Sequence, residues 1–261
     1  MNKSFKHDLS WNDKAKINPL FAIMSDDIFA NANIDDISQE QLDAFYLKGK
    51  VLWDRYLGPY FLLDENEKKV LEFGCGMGRL ILQPAFKGAA CTGVDISETQ
   101  IELANKYFPL KGKARFLVIK EKEKINLPAE SFDFVYSYAV LQHIKRTSDF
   151  YFALDEMTRL LRKGGKLIFQ IRFLDNFNPK KRVQVISSIN FENYTFLFYL
   201  KYFSKIPIPV FRKINHSHWG GAGCFISPKK VLRYLTKKGL TPNVIQYDMG
   251  TQNLIWLILE K

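Results

Sequence analysis

The sequence lacks the features that mark secreted, metal-binding and membrane-spanning proteins. Its three cysteines, Cys75, Cys91 and Cys224, show neither a paired pattern nor the spacing of metal ligands. No run of about eighteen apolar residues exists, so no segment is predicted to span a membrane. The first residues are polar and lack the apolar core of a signal peptide. We therefore expect reduced cysteines, no bound metal and a cytoplasmic protein.

Acidic residues are scarce in the last part of the chain. Residues 1–150 contain 20 Lys and Arg against 21 Asp and Glu, whereas residues 151–261 contain 18 against 6. The net charge of +11 therefore belongs to the second region, and between residues 176 and 238 Glu192 is the single acid among twelve basic residues. This region is either a solvated basic face or a site for an anionic partner, such as a phosphate-bearing substrate or a membrane surface.

A regular alternation of strands and helices occupies the middle of the chain. At 47% hydrophobic and 25% charged residues the composition is that of a globular protein. The pattern predicts strands at 69–73, 90–94, 114–119, 132–137 and 166–171, with helices at 77–86, 97–107 and 149–161. Such β-α-β-α repetition predicts an α/β fold, in which a parallel sheet carries helices on both faces.

The flanking segments differ from this core. A helix is predicted to begin after Ser38, which forms a capping-box pattern with Gln41, and its apolar stripe is interrupted near Gly49. Residues 176–221 are aromatic and basic, and a helix at 227–238 and two antiparallel strands at 241–249 and 253–259 follow. We expect three units: an N-terminal helical cap (1–60), a core (61–175 and 222–261) and a substrate-recognition insertion (176–221).

Three glycines at alternate positions, Gly74, Gly76 and Gly78, follow the first predicted strand. They let the backbone approach a ligand closely, and the predicted helix after them would direct its free N–H groups at that ligand. A dinucleotide site requires its third glycine three residues after the second, where this chain has Arg79. A nicotinamide-dependent oxidoreductase is therefore disfavoured.

Two acidic residues beside the glycines indicate the charge of the ligand. Glu72 would repel a pyrophosphate but attract a cationic group. Asp95, at the end of the second strand, can accept hydrogen bonds from both hydroxyls of a ribose. A ligand that carries a ribose, an ammonium and a sulfonium fits this combination.

These motifs resemble those of class I S-adenosylmethionine-dependent methyltransferases. The resemblance extends over residues 45–171, and more weakly over the elements after Ser227. Its motifs lie at 72–78, 93–97, 127–137, 141–144 and 156–165. The resemblance implies a Rossmann-like, seven-stranded, mostly parallel sheet. It also implies that S-adenosylmethionine is the cofactor and S-adenosylhomocysteine the product.

The resemblance also implies which residues contact the cofactor. Glu72 would face its amino group, the glycine loop its methionine part, Asp95 its ribose and Ile96 its adenine. Glu123, five residues before Pro128, would replace the acid that the family places against the adenine amino group, and Glu121 is the alternative. The full set of expected cofactor-binding residues is Tyr46, Glu72, Gly74, Cys75, Gly76, Gly78, Asp95, Ile96, Glu123 and Ser137.

Candidates for catalysis follow from the chemistry of methyl transfer. Positioning supplies most of the acceleration of an in-line displacement, and a base is needed only when the acceptor arrives protonated. The resemblance implies that Ser137 and Tyr138 face the methyl group. His143 lies just past the fourth strand, where it would act as a base or pack as an ordinary histidine. His216 and His218 lie at the end of the insertion and would contact the substrate or act as a base.

The aromatic segment at 196–205 has several interpretations. It could pack as ordinary core, form an apolar lid over the acceptor, lie on a membrane surface or stack against single-stranded nucleic acid. We expect methyl transfer to an oxygen or nitrogen of a small or lipid-linked, anionic acceptor, with peripheral membrane contact left open and nucleic acid disfavoured as a partner. The alternatives are an RNA methyltransferase and a cofactor-binding protein without transfer activity.

Overall fold

A twisted sheet lies at the centre of the protein. The structure, a computed structural model, describes residues 9–24, 27–29, 31–61, 68–172, 228–248 and 254–261. Within these ranges the sheet has seven strands in the order β3-β2-β1-β4-β5-β7-β6. The strands are β1 (Lys69–Phe73), β2 (Ala90–Asp95), β3 (Ala114–Val118), β4 (Phe132–Ser137), β5 (Leu161–Arg172), β6 (Thr241–Asp248) and β7 (Leu254–Glu260). The first five are mutually parallel and β7 runs antiparallel to both neighbours, which confirms the predicted Rossmann-like sheet.

Helices cover both faces of this sheet. They are α1 (Trp11–Ile17), α2 (Pro19–Met24), α3 (Gln39–Tyr56), α4 (Leu82–Phe86), α5 (Glu98–Tyr107), α6 (Thr147–Leu160) and α7 (Pro228–Lys237). The apolar residues of α3, α4 and α5 belong to one hydrophobic cluster, and those of α6 and α7 to a second one on the opposite face. Each fully buried large apolar side chain in these clusters contributes about 1.5–3 kcal/mol, so the two clusters fix the sheet between its helices.

Two of the predicted helix starts, at Ser38 and at residue 97, are confirmed in atomic detail. The Ser38 hydroxyl accepts the Gln41 backbone N–H at 3.2 Å, and the Gln41 side chain accepts the Ser38 N–H in return. Ser97 accepts the Gln100 N–H at 3.3 Å and starts α5 directly after the end of β2. The second cap matters for function because it fixes where the chain turns after Asp95.

The predicted helix at 77–86 is wrong in its first half. Residues 76–81 form turns, and α4 begins only at Leu82. The reason is that Gly76 and Gly78 have φ values of 52° and 80°, which a right-handed helix cannot include. The expectation that the N–H groups of the following helix face a ligand stays a prediction.

The fifth strand begins earlier than predicted. The strand was predicted at 166–171, but β5 already starts at Leu161, and its register with β4 shifts between Phe132 and Phe134. Gly164 takes a φ of 69°, and its N–H donates to the Lys261 carbonyl at 2.6 Å. The glycine pair thus makes a bulge at the start of the strand.

Other predictions fall on residues that the structure does not describe. The insertion at 176–221 lies outside the described residues, and so do His216, His218 and Cys224. The division into three units stays a prediction. In the described ranges, every helix is too short or too polar to cross a bilayer.

Gly49 allows α3 to contact the glycine loop. The helix runs through this position without interruption, so the break in its apolar stripe marks a contact. A Cβ atom on Gly49 would lie 2.3 Å from the carbonyl oxygen of Arg79, directly after Gly78. Relieving this overlap would require the backbone to move, which is energetically costly. Only glycine therefore fits between α3 and the loop.

Replacing Gly49 by Ala gives a prediction whose sign is decisive. Helix propensity alone would stabilise the variant by up to about 1 kcal/mol. The contact with Arg79 predicts the opposite, a loss of roughly 1–3 kcal/mol from forced backbone movement. Urea unfolding measures the difference, and Lys50→Ala, at the next and exposed position of the same helix, is the control. A stabilised Gly49→Ala variant would show that the close approach is absent.

Candidate cofactor and active site

The glycine loop is tied to the neighbouring strand β2. The N–H groups of Gly74 and Cys75 both donate to the carbonyl of Val94, at 2.7 and 3.0 Å. The chain can bend back in this way because Gly74 and Gly78 have φ values of 79° and 80°. A Cβ on Gly74 would also meet the Val140 side chain at 2.2 Å, so this loop packs tightly against the segment after β4.

Asp95 completes the attachment of the loop to β2. One carboxylate oxygen accepts the Gly76 N–H at 2.8 Å, and the other accepts the Ser97 N–H at 2.9 Å. Burial raises the pKa of Asp95, and the N–H groups of Ser97, Gly76 and Ile96 partly offset this. The structure thus brings Asp95 to the glycine loop, as predicted, and shows that it also holds the loop. A carboxylate offers roughly four acceptor positions, so acceptor capacity remains for ribose hydroxyls.

Glu72 lies beneath the loop, with 2% of its surface exposed. The Tyr136 hydroxyl donates to its carboxyl at 3.2 Å, and the Ile81 backbone N–H donates to it as well. Burial raises the pKa of Glu72 to about 8, although the Arg79 charge and these donors act in the opposite direction. Its contact with a cofactor amino group stays a prediction, because the partners seen here are protein groups.

Arg79 links the loop to the end of β4. Its side chain is buried, and its guanidinium lies over the Tyr138 ring, 5.4 Å from the ring centroid. Burial lowers the pKa of Arg79, while Tyr138 and Glu72 raise it. The sequence analysis used this residue only to exclude a dinucleotide. Its place as a buried cation between two candidate site residues was missed.

The end of β4 is fixed by two hydrogen bonds. The Ser137 hydroxyl donates to the Phe73 carbonyl at 2.9 Å, so this group holds β4 to β1. Ala139 has a φ of 58°, and its N–H donates to the Gln170 side chain at 3.0 Å. Gln170 was missed by the sequence analysis. A lone polar residue inside the apolar run of β5, 3% exposed, was the available signal.

Tyr138 forms part of an aromatic wall. Its ring lies 5.6 Å from that of Trp256 on β7 and 6.4 Å from that of Tyr56 on α3, and the last two rings are stacked at 4.8 Å. Trp256 and Tyr56 are far apart in the sequence. Sequence spacing could not have assigned them to one place.

His143 lies in the 3-10 turn Leu141–His143, past the end of β4. Its ring contacts Trp11 of α1 edge to face, at 5.0 Å, and one ring nitrogen lies 3.3 Å from the Gln142 side-chain nitrogen. The structure therefore places His143 at the predicted edge of the sheet and adds Trp11 beside it. Its role as a base stays a prediction.

The remaining predicted residues lie around the loop to different degrees. Ile96 is 38% exposed at the end of β2, as a side chain flanking a ligand would be. Cys75 is buried, and burial raises the pKa of its thiol. Tyr46 is buried against Phe108, and its hydroxyl donates to the Tyr107 carbonyl at 3.4 Å. Glu123 is exposed and pairs with Lys120 at 3.5 Å, so its contact with adenine stays a prediction.

The donor set fits S-adenosylmethionine. Asp95 offers carboxylate oxygens for a ribose, and Ile96 an apolar surface for a base. Glu72 lies under the loop, where it would face the positively charged amino group of the cofactor. Among the residues that the structure describes, His, Cys, Asp and Glu form no cluster of three that could hold a metal ion.

Comparison with known proteins agrees with this geometry. Residues 71–169 match the family model of a methyltransferase domain. The mitochondrial ubiquinone biosynthesis O-methyltransferase of Schizosaccharomyces pombe is 35% identical over 105 residues, which cover 39% of this chain and 36% of that protein. The malonyl-[acyl-carrier protein] O-methyltransferase of Paenibacillus is 28% identical over 109 residues, covering 40% and 38%. The chain thus spans less than half the length of these relatives.

A solved structure shares the fold. Magnesium protoporphyrin IX methyltransferase from Synechocystis, with bound S-adenosylhomocysteine, superposes with a TM-score of 0.53 at 15% identity. The alignment covers 87% of this chain and 89% of that one. Residues 71–169 thus resemble a methyltransferase domain, and the chain shares the fold of this solved structure.

The buried position of Glu72 predicts a pH-dependent change in stability. Its pKa in the fold, about 8, exceeds the ordinary value of 4.5, so the fold favours the neutral carboxyl. Between these two pH values the carboxyl is ionised in the unfolded chain but largely neutral in the fold. The native protein therefore loses stability as the pH rises through this range. Glu72→Gln removes this effect and should be more stable by on the order of 2 kcal/mol near pH 8, with a smaller difference near pH 5.

Urea unfolding of both proteins at the two pH values measures this difference. Glu102→Gln, an exposed change on α5, serves as the control and should give equal differences at both pH values. A gain for Glu72→Gln that does not grow with pH would contradict the assigned pKa.

Proposed function

We propose that the protein transfers a methyl group from S-adenosylmethionine to an oxygen or nitrogen atom of a small or lipid-linked acceptor. The observation that carries this proposal is the attachment of the glycine loop to Asp95, whose carboxylate accepts the Gly76 N–H at 2.8 Å. It brings the two motifs of a cofactor site together within the residues that match the methyltransferase family model. An oxygen acceptor is favoured, since both relatives described above are named O-methyltransferases.

The chain's own residues would act mainly by positioning. S-adenosylmethionine supplies an electrophilic methyl group on its sulfonium sulfur. The loop and Asp95 would fix the cofactor, and Tyr138, next to the end of β4, would border the reacting groups. His143 would accept a proton from an acceptor hydroxyl, if the acceptor arrives protonated. The hydrogen bonds of Ser137 and Gln170 keep the end of β4 in place, and this would help to position the reacting groups.

The insertion at 176–221 would recognise the acceptor. Its support is sequence composition, namely many aromatic and basic residues with Glu192 as the single acid. Such a segment suits an acceptor with an apolar body and an anionic group. A methyl-transfer assay with radiolabelled S-adenosylmethionine should label small or lipid-linked acids. Labelling of RNA instead, with strong salt dependence, would favour the alternative function.

Calorimetry tests the cofactor site directly. The protein should bind S-adenosylhomocysteine with a dissociation constant in the micromolar range, about −8 kcal/mol, and should not bind NADH. Asp95→Ala should weaken this binding at least about tenfold, because it removes the ribose acceptor and the loop attachment together. Asp95→Asn retains one acceptor oxygen, so its affinity should lie between those of the wild-type protein and Asp95→Ala.

The exposed Glu98→Ala variant is the matched control, since it removes a nearby negative charge outside the loop. Thermal unfolding of each variant separates lost binding from lost folding. NADH binding, or an unchanged affinity in Asp95→Ala, would overturn the assignment.

A further inference from the structure

Lys14 of α1 is a buried cation. Only 7% of its surface is exposed, and its ammonium lies over the Trp11 ring, 4.3 Å from the ring centroid. Among the described residues no carboxylate lies within ion-pair distance of it. The nearby charge of Lys145 has the same sign and, after burial, lowers the pKa of Lys14. Burying an ammonium in this way destabilises the fold unless an anion compensates the charge.

The helix that carries Lys14 lies across the candidate site. At one side Asn12 accepts the Thr99 N–H at 2.9 Å, just beyond Asp95 at the end of β2. At the other side Trp11 contacts His143, which follows β4. Because β1 lies between β2 and β4 in the sheet, α1 bridges the strand that carries the glycine loop. Lys14 is therefore carried by a helix that borders the site, and its ammonium lies over the same Trp11 ring that contacts His143.

We propose that Lys14 binds an anionic group, a carboxylate or a phosphate, of a ligand held in this site. The inference rests on the proposed function and adds a residue and a charge to it. Trp11 holds the ammonium in place by its cation–π contact, and the ligand's anion supplies the missing counter-charge. The anion has two candidate sources, the carboxylate of the cofactor's methionine part and an acidic group of the acceptor.

The experiment compares Lys14→Met with Lys14→Arg and with Lys16→Met. Lys16 lies on the same helix but is exposed, so Lys16→Met is the matched control. Calorimetry measures the binding of S-adenosylhomocysteine and of its decarboxylated analogue, S-adenosyl-3-thiopropylamine. A second titration adds inorganic phosphate, and then benzoate, to the protein saturated with S-adenosylhomocysteine.

The two sources of the anion give different results. If the cofactor carboxylate is bound, Lys14→Met loses about tenfold or more for S-adenosylhomocysteine but nothing for the analogue. If the anion belongs to the acceptor, both cofactor affinities are retained and the binding of phosphate or benzoate is lost. Lys14→Arg should restore binding in either case, because it keeps the charge.

Two results would overturn the proposal. One is that Lys14→Met changes none of these affinities, which would make Lys14 a packed side chain without a ligand. The other is an equal loss for S-adenosylhomocysteine and its analogue together with a lower melting temperature, which would indicate a purely structural role. Failure of the wild-type protein to bind S-adenosylhomocysteine would instead refute the proposed function, so the two failures are distinguishable.

Discussion

The attachment of the glycine loop to β2 is the constraint on which the rest of the site depends. The Val94 carbonyl and the Asp95 carboxylate together accept three N–H groups from residues 74–76. These bonds satisfy the backbone N–H groups of the turn. A right-handed helix could not satisfy them, since the glycines of the turn adopt left-handed conformations. A loop held in this way presents the same surface to every ligand. Gly49 and Val140 then pack against a loop that these bonds already hold in place.

Buried ionisable groups are the second feature of the site, and burying them costs stability. Glu72 and Arg79 lie inside the protein, with Tyr136 and Tyr138 against them. Replacing such groups by apolar residues often stabilises a fold, so their presence here calls for a gain elsewhere. Under the proposed function, a cationic cofactor above the loop would provide that gain for Glu72. Lys14 on α1 is likewise a buried ionisable group, and its charge is positive.

Local signals in the sequence predicted the core of the fold well. The alternation of strands and helices, the helix starts at Ser38 and at residue 97, and the antiparallel last strands were all confirmed. The prediction failed at glycines. The helix predicted at 77–86 was too long because periodicity does not report φ. The strand predicted at 166–171 starts earlier, because the backbone at Gly164 pairs with Lys261. For the site, the motif residues were recognised. Gln170, Trp11 and Trp256 were missed because each contributes through a contact distant in sequence.

The sequence by itself determined the class of fold and the loop–carboxylate pair, because strand periodicity, turn glycines and the acid after β2 act over a few residues. Only the tertiary structure decided what these groups do to one another. It placed Glu72 below the loop rather than in solvent, paired Asp95 with Gly76, and brought α1 across the sheet edge. Burial and long-range contact set the charge state and the partners of each side chain, and neither can be read from spacing along the chain.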